Sequence, residues 1–399
     1  MRYSALRNPL YINLQGTNIS LVRAASGDLS RKELLLNSFK LGSIDKDLFG
    51  PTPPSAFVGR FGYPQVLAGP LVSPAGQEVA LSDTPEKWLH LSREEIIGFR
   101  SNLVRSNFTL NVKDARDPSR LLKETQELAM AALPVDVEVK FLKPPRRSLQ
   151  FDGILTPMGP SGTVTDIEIV ENPQVPKKVD ALADDRDIKA TEAAVLLYEA
   201  SISPYQISRL LSVGILGKKR LIVPTRWSIT ATDSMLGENL LKRVRNYPEN
   251  ADVQLFVSEA FGNHFEILLI PRAYAFGWTE MWVSQGGKTE IGDLYEDVIN
   301  KPAYMDGGYY AARFSALEFL ERVRRQAAIY VVREVKPTYD IPLGSWVIRE
   351  LVRDAVSRQP LIFENAADAL SSIRTRIKVP ANTLFLKKHL LQTRLMQFE

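Results

Sequence analysis

The clearest periodic signal lies at residues 92–106 (SREEIIGFRSNLVRS), where Ile96, Phe99 and Leu103 recur at helical spacing and share one face. Ser92 and Glu95 have the spacing of a capping box, so the helix start is marked as well. Residues 118–133, 187–200, 204–213 and 234–245 also read as helices, and 28–40 as one capped by Asp28 or Ser30. A longer helix is predicted over 308–328, with Leu317, Leu320 and Val323 on one side. Segments 345–353 and 361–373 look helical too.

Strand signals are fewer. Val135–Phe141 (VDVEVKF) alternates with period two, and Val253–Ser258, Phe265–Ile270, Trp278–Val283 and Ile329–Val335 read as strands. Gly286-Gly287 marks a hairpin turn or a boundary. Leu221–Pro224 reads as a buried strand, and 163–170 as a short one. The stretch 50–55 cannot form a regular helix and predicts a rigid loop entering a short strand, with a second turn at Gly69-Pro70-Leu71. Helices and strands without a regular βαβ rhythm predict an α+β fold with a mixed sheet.

Composition narrows the function classes. A chain of 399 residues favours two or three domains, and 45% hydrophobic with 24% charged residues is ordinary for a globular protein. With no cysteine, disulfides, thiolate zinc sites and cysteine nucleophiles are excluded. His90, His264 and His389 are far apart in sequence, so no metal site is expected. No apolar run reaches membrane-spanning length and the N-terminus has no continuous apolar core, which predicts a cytoplasmic protein without membrane contact. Net charge is only +4, but Arg374, Arg376, Lys378, Lys387, Lys388 and Arg394 follow one another without an intervening acid. Such a run suits an acidic partner or a phosphate backbone, and equally a solvated face.

The densest polar chemistry is at 225–233. Thr225, Arg226, Ser228 and Thr230 can hold phosphate, Trp227 can stack on a base, and Asp233 either joins them or caps the next helix. In 52–64, Arg60 sits on a Gly/Pro-held turn with Phe61 and Tyr63, either aimed at an anion or part of a turn whose aromatics are packed. In 306–313, Asp306 and two glycines open the long helix and Arg313 follows within it. Neither the P-loop nor the dinucleotide-fold spacing is present. Asp180, Asp184, Asp185 and Asp187 cluster at a helix start, where acids are stabilising without any metal. No cofactor is expected, although these segments leave room for a nucleotide or a divalent metal.

At the terminus, Gln392, Leu395 and Phe398 are spaced i, i+3 and i+6. In a 3₁₀-like turn they line one side, so that two apolar anchors enter a pocket and the amide meets its rim. This is the spacing of the PIP box, the peptide that docks on sliding clamps, with Glu399 where a second aromatic would stand. An amphipathic final helix over 384–398 fits the same residues.

Several longer segments resemble the archaeal Nre DNA-repair proteins, in the form without a zinc finger. They are 53–64 (PPSAFVGRFGYP), 223–230 (VPTRWSIT), 262–269 (GNHFEILL) and Lys301–Tyr304 with 306–313 (DGGYYAAR). The resemblance implies a larger N-terminal region (1–285), a smaller C-terminal region (286–391) and a clamp-binding tail (392–399). It also implies a role in DNA damage repair and binding to the sliding clamp PCNA, and supplies no catalytic mechanism. Three functions are therefore in play. The first is a clamp-recruited repair factor whose body binds DNA. The second is a nucleotide- or phosphodiester-processing enzyme with a pocket built from 52–64, 225–233 and 306–313. The third is a clamp adaptor without catalysis.

Overall fold

In Val135–Phe141 every second side chain is buried, as the alternation of its sequence predicts, and the strand lies inside a six-stranded sheet. The computed structural model describes residues 10–14, 17–21, 44–74, 79–146 and 148–390. Among these, residues up to 236 together with 341–346 form a first unit, and 237–340 with 347–390 form a second, smaller one. The predicted helix at 28–40 and the tail at 392–399 lie outside the described residues.

The first unit contains β1 (Leu10–Leu14), β2 (Thr17–Leu21), β3 (Asp47–Thr52), β4 (Ala56–Val58), β5 (Gln65–Val72), β6 (Val104–Asn111), β7 (Val135–Phe141), β8 (Ser148–Phe151) and β9 (Ser161–Ile169). Its main sheet has the order β3-β7-β9-β6-β5-β4, with β6 and β9 parallel and the other pairs antiparallel. Strands β1, β2 and β8 make a separate small sheet. Leu122 and Leu128 of the helix Arg120–Met130 join Val137, Val139 and Phe108 in the core. Elsewhere in this unit the Trp88 ring meets Trp346 edge-on, centroids 5.0 Å apart.

The second unit is a mixed sheet ordered β13-β12-β14-β11-β10-β15, built from β10 (Val253–Ala260), β11 (Asn263–Ile270), β12 (Ala275–Val283), β13 (Thr289–Glu296), β14 (Ala328–Val335) and β15 (Leu361–Phe363). Only β12 and β14 are parallel, and Gly286-Gly287 lies in the β12–β13 turn. Helix Gly307–Val323 covers one face, where Tyr309 packs on Phe276 and Phe319 on Phe256. Helices Ala366–Arg376 and Leu384–His389 cover the other, with Phe385 stacked on Tyr330 at 4.6 Å. Gly277 permits that approach, since a Cβ there would lie 2.7 Å from the Cβ of Phe385.

Several sequence expectations are corrected, among them the helix expected over 361–373, which starts only at Ala366 after strand β15. The predicted helix at 92–106 ends at Asn102, and Val104–Asn111 is a strand between β9 and β5. Gly69-Pro70 does not turn the chain but continues β5, where Gly69 passes so close to β6 that a Cβ would meet the Ser106 carbonyl oxygen at 1.6 Å. Leu221–Pro224 forms no strand, being held by single backbone bonds from Ile222 to Val112 and from Val223 to Ser212.

Candidate functional site

The polar run expected to be a loop at 225–233 is the first half of a helix, Thr225–Val244. The chain enters it through Pro224, whose carbonyl accepts from the Trp227 and Ser228 N–H groups. Thr225 Oγ1 accepts from Val58 N–H at 2.8 Å and pairs with Ser212 Oγ at 3.2 Å, which fastens the helix start to β4. Ser228 Oγ is buried against Ser208 Oγ at 3.0 Å, and Thr230 Oγ1 reaches the Arg226 carbonyl. Arg226 is held in an ion pair by Asp152, whose Oδ1 also accepts from Ile154 N–H at 2.7 Å. Asp233 is buried within the helix rather than capping it. Thr225, Arg226 and Ser228 are thus occupied in joining the helix to its surroundings, while Thr230 bonds within it.

Trp227 is different. Its side chain is exposed and rests against Tyr63, ring centroids 5.3 Å apart and planes at 55°. Tyr63 belongs to the tip of the β4–β5 hairpin, where Gly62 has φ +83° and its carbonyl accepts from Gln65 N–H at 2.9 Å. The hairpin tip also carries Arg60, which lies 5.1 Å over the ring of Phe61. The exposures are 80% for Phe61, 52% for Tyr63 and 44% for Trp227, so the tip aromatics are not packed into the core. The hairpin tip and the helix start are thus brought together in one unit. Arg60 and Trp227 are candidates by sequence, whereas Phe61 and Tyr63 are not, although the Gly-x-x-Gly-Tyr-Pro turn signal accompanies them.

Positive charge lies beside this group. Val112 N–H donates to the Pro64 carbonyl, Ile222 N–H to that of Val112, and Arg116 Nε to that of Lys219. These bonds join the hairpin tip to a segment that exposes Lys113, Arg116, Lys218 and Lys219. Among the described residues none of these four, nor Arg60, has a carboxylate partner. Asp114 and Asp117 are exposed there too, Asp114 accepting from Asn111 N–H.

Segment 306–313 belongs to the second unit. Asp306 caps the helix Gly307–Val323, accepting from Tyr309 N–H at 2.7 Å. Burial, with the nearby charge of Glu280, pushes its carboxyl up to about 6. Glu280 is paired with Arg333, which also donates to Asn263 Oδ1. Arg313 is almost fully buried, with Nε on Glu296 and Nη2 on Glu238. On the opposite face of the sheet Glu266 is inaccessible to solvent and binds Arg376 and His264. His264 has a carboxylate on each ring nitrogen, Glu259 at 2.9 Å and Glu266 at 2.8 Å, an arrangement satisfied when both nitrogens carry protons. Of the Asp180–Asp187 acids, Asp185 serves the backbone, its Oδ1 accepting from Asp187 and Ile188 N–H. No cluster of potential metal ligands occurs among the described residues. No helix there is long and apolar enough to cross a membrane.

Family models for "Archaeal Nre, N-terminal" and "Archaeal Nre, C-terminal" match residues 29–287 and 296–399. The chain belongs to the archaeal Nre family. It is 42% identical over 343 residues to the DNA repair protein NreA of Archaeoglobus fulgidus, covering 84% of this chain and 86% of that one. It is 34% identical over 335 residues to NreB of the same organism, covering 82% and 85%. It is 32% identical over 395 residues to NreA of Haloferax volcanii, covering 93% and 94%. All three relatives are named DNA repair proteins. No solved structure matches the chain. Of the segments that resemble Nre proteins, 53–64 forms β4 and the hairpin tip, 223–230 the helix start beside it, 262–269 most of β11, and 306–313 the capped helix start of the second unit.

Proposed function

We propose that this Nre protein is a DNA damage repair factor that reaches its work on the PCNA sliding clamp through Gln392, Leu395 and Phe398, and whose body binds DNA. The names of the relatives support the repair role. The spacing of the terminal motif supports the clamp as partner. The observation that carries DNA binding is the set of exposed cations without carboxylate partners, Arg60, Lys113, Arg116, Lys218 and Lys219, in one part of the first unit. Phosphate neutralisation by such side chains dominates protein–DNA affinity and makes it fall steeply with salt.

The clamp half is tested by calorimetric titration of the full chain into the cognate clamp, beside a chain lacking 392–399 and the Phe398→Ala variant. Both changes should abolish or strongly weaken binding, and Glu399→Phe should tighten it. Unchanged affinity of the truncated chain would refute the tail as anchor. The DNA half is tested by a salt titration of duplex binding. Exchanging Lys113 and Lys219 for Ala should reduce the log–log slope by about 0.9 for each phosphate that is no longer neutralised. A protein that binds no DNA at low salt would overturn it.

A further inference from the structure

The cations account for phosphate but not for the three aromatic side chains beside them. An exposed Tyr–Trp pair is unusual on a soluble surface unless it meets a partner, because burying large aromatic rings is strongly favourable and leaving them in water forgoes it. Here the pair is built into rigid elements. Trp227 stands on the first turn of a helix whose start is tied to β4 through Thr225 Oγ1. Tyr63 is fixed by the hairpin turn, and Val112 N–H holds the following Pro64 carbonyl at 3.0 Å. Phe61 lies at the same tip, with the Arg60 guanidinium over its ring.

Aromatic faces next to such cations fit one chemistry closely. Bases in a duplex are stacked on each other and present only their edges. Unpaired bases present their faces, which stack on Tyr, Trp and Phe whatever their sequence, while Arg and Lys follow the backbone. A purely apolar protein partner would leave Arg60 and the neighbouring lysines without counter-charges, and a duplex would leave the ring faces unused. We infer that the Phe61, Tyr63 and Trp227 side chains form a stacking platform for unpaired bases of single-stranded DNA, with Arg60 on its phosphates. The inference rests on the DNA-binding reading above and adds the form of DNA that is recognised.

The test uses the full chain with a fluorescently labelled oligothymidylate and a blunt duplex of equal length, both at fixed salt. The unmodified protein should prefer the single strand, and its tryptophan emission should be quenched on binding. Trp227→Ala should weaken single-strand binding about tenfold or more, within the range that base–aromatic stacking spans, while duplex binding changes less than about twofold. Trp227→Phe should restore most of the loss. Arg60→Ala should lower the single-strand salt slope by about 0.7. Alanine suits a helix, so loss of fold is checked simply by circular dichroism.

If the protein binds neither DNA, the DNA-binding reading itself fails. If it binds DNA but Trp227→Ala and Tyr63→Ala leave single-strand affinity unchanged, the platform is refuted while DNA binding stands. Equal losses for strand and duplex also refute it, and so does capture of a protein partner by these residues with DNA affinity intact.

Discussion

Arg313 Nε donates to Glu296 Oε1 at 2.6 Å in the interior of the second unit, and the Tyr274 hydroxyl donates to the same oxygen at 2.7 Å. Both charged side chains are almost wholly removed from water, so each depends on the other. Arg313→Met strands a buried carboxylate and should destabilise the protein by roughly 3 kcal/mol, read as a lowered urea midpoint. Adding Glu296→Gln should recover part of that loss, because a neutral amide no longer needs the cation.

The His264 imidazole gives a pH dependence of definite sign. Burial pushes its pKa down, but hydrogen bonds and charge from Glu266 and Glu259 outweigh this and the net shift is upward. A folded pKa above the unfolded value near 6.5 means the native state holds the proton more tightly. Its stabilisation is complete below pH 6.5 and fades as pH rises through the folded value. His264→Gln should flatten stability against pH above 6.5, measured by urea midpoints at stepped pH.

Asp306 acts in the same direction over a lower window. Its carboxyl is raised from 3.8 to about 6, so the native state again binds the extra proton and stability falls as pH rises across that interval. Asp306→Asn retains a good helix cap and removes the charge. The variant should be more stable than the parent at pH 7, by on the order of 1 kcal/mol, and indistinguishable from it near pH 3.5. Thermal melts at the two pH values check this.

Arg376 clamps Glu266, with Nη2 to Oε2 at 2.9 Å and Nε on Oε1. The arginine is partly exposed and the carboxylate is not, so removal exposes little new charge to water but leaves one buried. Arg376→Ala should cost roughly 2 kcal/mol, and Arg376→Lys, a single point charge in place of a fork, should restore only part of it. Denaturant midpoints of the three proteins rank them.

At the other extreme of scale, the Ser92 cap is fully legible in sequence. Ser92 Oγ accepts from Glu95 N–H and Glu95 answers the Ser92 N–H at 2.7 Å, as the spacing predicts. Ser92→Ala should cost about 1 kcal/mol, read from the same unfolding curves.

That cap marks what local sequence carries well. The alternation in Val135–Phe141 and the apolar runs of β11 and β14 likewise reveal themselves, because the residues that face the core are the ones that look apolar. The signal fails where polar groups are buried. Val104–Asn111 hides Arg105 and Ser106 between two neighbouring strands, so its polarity reads as the end of a surface helix. At Thr225–Asp233 the Thr225 and Ser228 hydroxyls that suggest a ligand loop are satisfied by Val58, Ser208 and Ser212, partners remote in sequence. The platform is half visible for the converse reason. Trp227 and Arg60 stand out by type, whereas the exposure of Phe61 and Tyr63 depends on how the hairpin turns.

Trp346 lies against Trp88 although nearly the whole of the second unit's sheet precedes it in the chain. The polypeptide lays down β10 to β14, contributes 341–346 to the first unit, and only then adds β15 to the second. A break between residues 287 and 296, where one family model ends and the next begins, therefore gives two fragments that each lack a piece of their own unit. Gene rearrangement at that point would not release two portable modules. Each Nre region depends on the other for part of its own folding unit.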